Sequence, residues 1–343
     1  MRAAVLEAPR RLRLVERARP APGPGQALVR VLATAICHTD LEIYTGRHPG
    51  VRYPVVLGHE AAGEVEAVGP GVHRLRPGAR VLVNPIVACG ACDACARGRG
   101  NLCRRAGLLG RELEGSLAGH LVLAEDALHP LPPGLPPERA PLLETLATVH
   151  HAQRRAGVAP GDSVVVFGLG ASGLLHAQLA RRLGAAPVVG VSRTPGKLVL
   201  ARRLGVEHVV DATRADPVAE VARLTGGRGA DVAVDTTGEP AVLAQALAAL
   251  APGGRLVLYA ISHRPLAEVT AFPVYFKELT LYGSRALTPE DVAPAVELVT
   301  SGAIDLEGFV TARYPLARVA AALEAYERDP GQVLRLVVLH DAE

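Results

Sequence analysis

The sequence predicts an α/β protein of two domains, one a doubly wound parallel sheet with helices on both faces, the other β-rich. Three observations lead there. The 343 residues are long for one hydrophobic core and suit two of ordinary size. From residue 163 to about 284, short apolar runs alternate with amphipathic helical stretches, the pattern of parallel βαβ units. Residues 1–145 instead read as short strands broken by Gly and Pro.

Taken in order, LVRVLATAI, EVEAVG, ARVLVNPIV and GHLVLAEDAL are the β-rich runs, and APGPGQ and LPPGLPPERAP are loops. The texture changes at ETLATVHHAQRRAG, where Leu146, Val149 and Ala152 share one side of a helix. SVVVFG, PVVGVS, HVVDA, DVAVDTT, GRLVLYAI and LTLYGS follow as strands, with ASGLLHAQLARRLG and TPGKLVLARRLG as helices between the first three. After residue 286 come a helix, DVAPAVELVTSG, and two β-like runs, FVTARYPL and VLRLVVL, expected to return to the first domain. The expected domains are therefore 1–146, 147–286 and a return over 287–343.

Hydrophobic residues make up 49% and charged residues 21%, a globular balance and not a disordered one. The net charge is +3 and aromatics are 3%, with no basic run interleaved with aromatics, so no nucleic-acid partner is expected. No apolar stretch approaches the ~20 residues of a membrane span, and MRAAVLEAPRRLRLVERARP alternates too soon for a signal peptide. A soluble cytoplasmic protein is expected. Lys197 and Lys277 are the only lysines, and prolines number 27. Heat stability and GC-rich coding account for that bias equally well.

GLGASG places Gly168, Gly170 and Gly173 as G-x-G-x-x-G between a predicted strand and a predicted helix. The first glycine permits the tight turn, the second lets backbone approach a pyrophosphate, and the third brings helix close to strand. The phosphates then meet the free N–H groups of the helix N-terminus. An ordinary tight turn is the alternative. An acidic residue normally ends the second strand and holds the adenosine ribose. Here that place is Ser192, followed by Arg193 and, in the same turn region, Lys197. A neutral hydrogen-bonding residue beside a planar guanidinium suits a 2′-phosphate, so NADP is expected over NAD.

Four of the five cysteines, Cys89, Cys92, Cys95 and Cys103, fall in CGACDACARGRGNLC. Four thiolates at that spacing can close a tetrahedral zinc site with no open position. An iron–sulfur cluster is the rival, weakened by the seven-residue last gap and by Arg104 where a ferredoxin run has Pro. A redox C-x-x-C pair would leave two cysteines unexplained. The fifth, Cys37 in ICHTD, and His59-Glu60 in GHEAAGEVEAVGPGV supply thiolate, imidazole and carboxylate, all zinc ligands, with Asp40 near enough in sequence to orient one of them.

On GHEAAGEVEAVGPGV, the four-cysteine loop, GLGASG, GADVAVDTTG and FKELTLYGS, the chain resembles the zinc-containing medium-chain alcohol and polyol dehydrogenases over nearly its whole length. The resemblance implies a Rossmann dinucleotide-binding domain and a β-rich GroES-like catalytic domain. It implies Cys37 and His59 as catalytic zinc ligands, with Glu60 as the neighbouring carboxylate. Glu144 matches the place where sorbitol- and threonine-type members have Glu-Pro, although Thr145 stands where Pro is usual. Thr39 takes the position of the hydroxyl that accepts the substrate proton, and His38 that of a cofactor-phosphate contact. Glu42 stands where many members carry the histidine that ends the proton relay.

The implied activity is hydride transfer between a nicotinamide cofactor, NADP or NAD, and an alcohol, polyol or its carbonyl, with one catalytic and one structural zinc. The implied assembly is a homodimer or homotetramer. Two other classes remain as alternatives: a zinc-independent enone or quinone reductase on the same fold, and a non-catalytic nucleotide-binding relative. GSRALTP lacks the Arg-Tyr pair usual in sorbitol dehydrogenases at that point, so the substrate is not identified.

Overall fold

A computed structural model of the chain describes residues 1–266 and 269–340. The chain divides into two compact units: residues 1–145, 287–296 and 306–343 form one, and 146–286 with 297–305 the other. Residues 297–305, inside the stretch expected to return to the first domain, thus belong to the second unit.

The first unit is built on a seven-stranded sheet with the path Leu128–Pro130, Arg80–Val83, Glu60–Val68, Gln26–Ile36, Arg335–Leu339, Val310–Pro315, with His120–Ala124 paired beside Gln26–Ile36. Gln26–Ile36 is its spine. Gln26 to Arg30 pair with His120–Ala124, Ala33 to Ile36 pair with Arg335–Leu339, and the other edge pairs with Glu60–Val68. VLATAI is buried at almost every position, as a strand covered on both faces requires. One apolar cluster gathers Leu6, Ile36, Leu41, Leu57, Leu117 and Val338; another gathers Val29, Val31, Val65, Val81 and Leu128. The N-terminal segment, Arg2–Ala8 and Arg11–Glu16, is an antiparallel pair, joined on its other side by Val55–Val56. Two helices of this unit lie outside the elements expected from the sequence. His38–Thr45 overlaps the ligand motif ICHTD, and Val319–Arg328 packs Leu323 and Tyr326 into the first cluster.

The second unit is a six-stranded parallel sheet in the order His208–Asp211, Val188–Ser192, Val164–Phe167, Ala230–Asp235, Leu250–Leu258, Thr280–Gly283. Numbered along the chain, that is 3-2-1-4-5-6, the doubly wound dinucleotide-binding order. Val164–Phe167 is buried at every residue, and Val165, Phe167, Val189, Val191 and Leu256 form its core. Ala171–Arg182 and Pro195–Arg203 each end in an Arg pair, which suits the negative end of the helix dipole. Pro opens the helices at Pro195, Pro217 and Pro240, where its missing N–H costs no helix bond.

Candidate functional site

The first group of functional side chains is brought together by strand register. Ala35 of Gln26–Ile36 lies opposite Glu60 of Glu60–Val68, so the residues just beyond, Cys37 and His59, meet at the same end of the ladder. Cys37 is the N-cap of the helix His38–Thr45. Asp40, fully buried, joins the two ligand-bearing segments: its Oδ2 accepts from the Cys37 N–H at 2.8 Å and its Oδ1 from the Gly58 N–H at 3.0 Å. Gly58 has φ +95°, and a Cβ there would meet Ser116 Oγ at 2.7 Å, so the turn before His59 requires glycine. His59 Nδ1 lies 3.3 Å from Asp40 Oδ1, close enough for an ion pair though not aligned as a hydrogen bond.

The ligand atoms of Cys37, His59 and Glu60 all lie within 4.8 Å of one another. Burial opposes charge at His59, but Asp40 and Cys37 outweigh it and raise its pKa well above the ordinary histidine value. Surroundings that favour a proton there also favour a metal cation, and a soft thiolate with an imidazole and a carboxylate is a zinc donor set. The residues present therefore fit the metal.

Glu60 has a partner that sequence spacing did not indicate. Arg335, at the start of Arg335–Leu339, donates from Nε to Glu60 Oε2 and from Nη2 to Glu60 Oε1, both at 2.8 Å, with both side chains buried. Arg335 also donates to the Leu334 carbonyl at 3.1 Å and to Thr145 Oγ1 at 3.3 Å. Thr145 thus supplies an acceptor to the guanidinium. Glu144 lies on the first turn of the helix Leu142–Ala156 and is buried, outside the three-residue ligand set. Burial and then the Glu60 charge push its carboxyl up to about 8. Thr39 Oγ1 is 4.0 Å from Cys37 Sγ. His38 is exposed on the same turn, 3.8 Å from Glu42 Oε1, and its ring meets Tyr326 edge-on at 6.2 Å between centroids.

The four-cysteine lobe contains a second ligand set. Cys89, Cys92, Cys95 and Cys103 place their sulfurs within 4.8 Å of one another, with Cys92–Cys95 at 3.5 Å and Cys89–Cys95 at 3.9 Å. Zn–S bonds of ~2.3 Å at tetrahedral angles put sulfurs ~3.8 Å apart, so these spacings are those of a zinc tetrahedron. The Cys89 and Arg105 amides donate to Cys103 Sγ at 3.4 and 3.3 Å. The Ala91 amide leads the interactions that lower Cys89 to about 6, favouring the thiolate a metal takes.

In the second unit, Gly168 turns the chain after Val164–Phe167 with φ +91°, where a Cβ would meet Thr236 Oγ1 at 2.6 Å. A Cβ on Gly173 would strike the Gly168 carbonyl oxygen at 1.8 Å. Gly170, the N-cap of Ala171–Arg182, faces open space within 4 Å, a cradle for phosphate beside free helix N–H groups. Ser192 ends its strand buried, with Oγ accepting from the Thr194 N–H at 3.1 Å. Arg193 is exposed, and Lys197 lies in the first turn of Pro195–Arg203. The acid missing at Ser192 is present one strand over: Asp211 pairs with Ser192 in register. Its Oδ1 already accepts from Thr213 N and Oγ1, and its Oδ2 lies 3.5 Å from Arg214.

Among the described residues, no helix is long and apolar enough to cross a membrane. Residues 23–133 match the alcohol dehydrogenase GroES-like domain and residues 171–301 the zinc-binding dehydrogenase domain. The chain is 34% identical to the L-galactonate-5-dehydrogenase of Escherichia coli K12, covering 96% of this chain and 95% of that one. It is 31% identical to the sorbitol dehydrogenase of Bacillus subtilis 168, covering 98% and 97%. Among solved structures, a zinc-binding dehydrogenase of Sinorhizobium meliloti 1021 bound to NADP superposes with a TM-score of 0.89 at 30% identity, covering 98% of each chain. An alcohol dehydrogenase of E. coli CFT073 complexed with NADH gives 0.92 at 27% identity, covering 99% of each.

Proposed function

The chain belongs to the zinc-containing medium-chain alcohol and polyol dehydrogenases, and from that premise we propose how its own residues perform the reaction. The activity is NAD(P)-dependent interconversion of an alcohol or polyol with its carbonyl. In this reading Cys37, His59 and a carboxylate from Glu60 or Glu144 hold the catalytic zinc, and Cys89, Cys92, Cys95 and Cys103 hold the structural zinc. The observation that carries the reading is the convergence of Cys37, His59 and Glu60 within 4.8 Å around the buried Asp40.

Held by these residues, zinc would supply Lewis-acid polarisation of the substrate oxygen, and a nicotinamide cofactor would supply the hydride acceptor. Asp40 orients the ligands by accepting the Cys37 and Gly58 amides and by sitting against His59. The Thr39 hydroxyl, beside Cys37, accepts the substrate proton and passes it outward, to Glu42 or directly to solvent. Gly168, Gly170 and Gly173 receive the cofactor pyrophosphate.

NADP is preferred over NAD in this reading. Its support is a buried Ser192 with no acid at its strand end, an exposed Arg193, Lys197 one turn on, and an Asp211 carboxylate already engaged. The chain works in the cytoplasm, where thiolate metal sites stay reduced, as a homodimer or homotetramer. Thr280–Gly283 ends the parallel sheet as an edge strand, and Phe272, Tyr275 and Phe276 nearby in sequence are 64%, 81% and 71% exposed.

A panel of alcohols and carbonyls assayed with both cofactors, beside elemental analysis of metal-replete protein, tests the reading. One zinc for each site and zinc-dependent oxidation of an alcohol are expected; full activity after complete metal removal refutes it. Light scattering on Phe276→Glu tests the assembly, with a smaller species expected.

A further inference from the structure

The dinucleotide-binding unit contains a buried polar chain that the mechanism above does not use. Thr148 and Gln153 come from the helix Leu142–Ala156, His176 from Ala171–Arg182, and Tyr259 follows the strand Leu250–Leu258 directly. His176 is 0% exposed. Gln153 Nε2 donates to the His176 carbonyl oxygen at 2.7 Å and to His176 Nδ1 at 3.2 Å. That assigns Nδ1 as the acceptor and leaves the proton on Nε2, which has no hydrogen-bond partner. Burial pushes the ring down to about 3, so it stays neutral at working pH. Its plane stands at 90° to the Tyr259 ring, with centroids 4.8 Å apart. At the far end of the chain the Tyr259 hydroxyl lies 2.5 Å from Thr148 Oγ1.

A buried nitrogen without a partner costs stability, and an aliphatic side chain would fill the same space without that cost. What the four residues accomplish together is to fix the plane of one aromatic ring. The backbone of that ring is fixed as well: the N–H groups of Tyr259 and Ala260 both donate to the Asp235 carbonyl oxygen at 3.2 Å, pinning them to the end of the neighbouring strand. The place is informative. In a sheet of order 3-2-1-4-5-6 a dinucleotide lies across the carboxyl ends of the strands, one mononucleotide to each half. Gly168, Gly170 and Ser192 stand at the ends of the first and second strands and take the adenosine half. Tyr259 stands at the end of the fifth, in the other half, and is half-buried.

We infer that Tyr259, set perpendicular to His176 and tied by its hydroxyl to Thr148, is the wall against which the nicotinamide ring stacks, with His176 as the positioning residue for that wall. The inference rests on the dinucleotide-binding reading given above. Flat aromatic faces stack on heterocyclic rings, and a ring already locked loses little freedom on binding. Gln153 and Thr148 supply the lock at its two ends.

The test separates the two halves of the cofactor. Wild type, Tyr259→Leu, Tyr259→Phe and His176→Leu are titrated with NADPH and with 2′-phospho-ADP-ribose, and in parallel with NADH and ADP-ribose. Reduced nicotinamide is followed by its own fluorescence, which the absence of tryptophan leaves clear, and the fragments by calorimetry. Tyr259→Leu is expected to weaken the better-bound dinucleotide by about tenfold or more while leaving its fragment within about twofold. His176→Leu is expected to keep or raise Tm, yet to weaken the dinucleotide and shift the bound nicotinamide emission towards that of free cofactor. Tyr259→Phe is expected to fall between wild type and Tyr259→Leu. Wild-type dinucleotide affinity in Tyr259→Leu overturns the inference, and so does an equal loss for dinucleotide and fragment. An unaltered affinity and emission in His176→Leu removes the role given to His176. Failure of the wild type to bind dinucleotide or fragment would overturn the dinucleotide reading itself.

Discussion

Arg335→Met isolates what holds the candidate metal site together. The substitution keeps an unbranched apolar stem and deletes the fork that donates twice to Glu60 at 2.8 Å, along with the donations to Leu334 and Thr145. The side chains of Arg335 and Glu60 are only 7% and 2% exposed, so water cannot replace the lost partner. Removing one member of a buried pair costs about 3–5 kcal/mol, because the other charge is left uncompensated. Glu60→Gln strands the guanidinium in the same way. In Glu60→Gln/Arg335→Met neither charge remains, and the loss is expected to fall to about 1–2 kcal/mol, well below the sum of the single variants.

The measurement is urea unfolding, with hydrogen exchange on the amides of Glu60–Val68 to report on this unit alone. Zinc adds a second comparison. The Glu60 carboxylate lies within 4.8 Å of the Cys37 and His59 ligand atoms, so a bound cation offsets part of the stranded charge in Arg335→Met. The loss is therefore smaller in zinc-replete protein than in chelated protein. A single-variant loss under about 1 kcal/mol, or a double variant equal to the sum of the singles, would refute the reasoning.

Cys37→Ala abolishes alcohol oxidation while nucleotide binding persists, whereas Cys95→Ala lowers Tm by opening the closed thiolate site; full activity in Cys37→Ala defeats the zinc mechanism. Ser192→Asp shifts kcat/KM from NADP towards NAD, and a wild-type preference for NAD of about tenfold, ~1.4 kcal/mol, contradicts the reading of that strand end. Burial holds His176 down at about 3 in the folded chain, against ~6.5 when unfolded. Above ~6.5 the ring is neutral in both states and adds no pH dependence. Below that the unfolded chain takes up a proton that the folded chain does not, so stability falls as pH drops from there towards 3. His176→Leu flattens this slope, and urea midpoints with an unchanged pH dependence would exclude that ring as its source.

The parts legible in the sequence were those whose chemistry is local in the chain. CGACDACARGRGNLC closes on itself, and GLGASG needs only the strand before it and the helix after it. Cys37 and His59 were legible by residue type and by resemblance, but the register of Ala35 with Glu60 that makes them meet is not written in either segment. Arg335 could not be seen because VLRLVVL reads as an apolar strand with one charge, and its partner is 275 residues away. Thr145 read as a departure from the usual Pro; its hydroxyl has a use only once Arg335 is in place. His176 sits in a helix buried at every residue from Gly173 to Ala180, where nothing local distinguishes an idle core histidine from one set against Tyr259. The helix His38–Thr45 carries weak periodicity and takes its shape from the cluster it covers, whereas Val319–Arg328 does repeat its buried residues at helical spacing, Val319, Ala322, Leu323 and Tyr326, a signal the sequence carries between the two β-like runs.

The 275-residue gap between Glu60 and Arg335 is also an interval of time. At ~5–20 residues per second on a ribosome, it corresponds to roughly 15–55 s. Throughout that wait the Glu60 carboxylate lacks its guanidinium, and the edge of Gln26–Ile36 that will receive Arg335–Leu339 stands open from Ala33 to Ile36. Residues 146–305 supply all of the nucleotide-binding unit and emerge before the closing strand does. Synthesis therefore delivers a cofactor-binding body first and seals the metal-binding one afterwards. A nascent chain stalled short of Arg335 would carry the first beside an unpaired strand edge, the kind of surface that chaperones and proteases recognise.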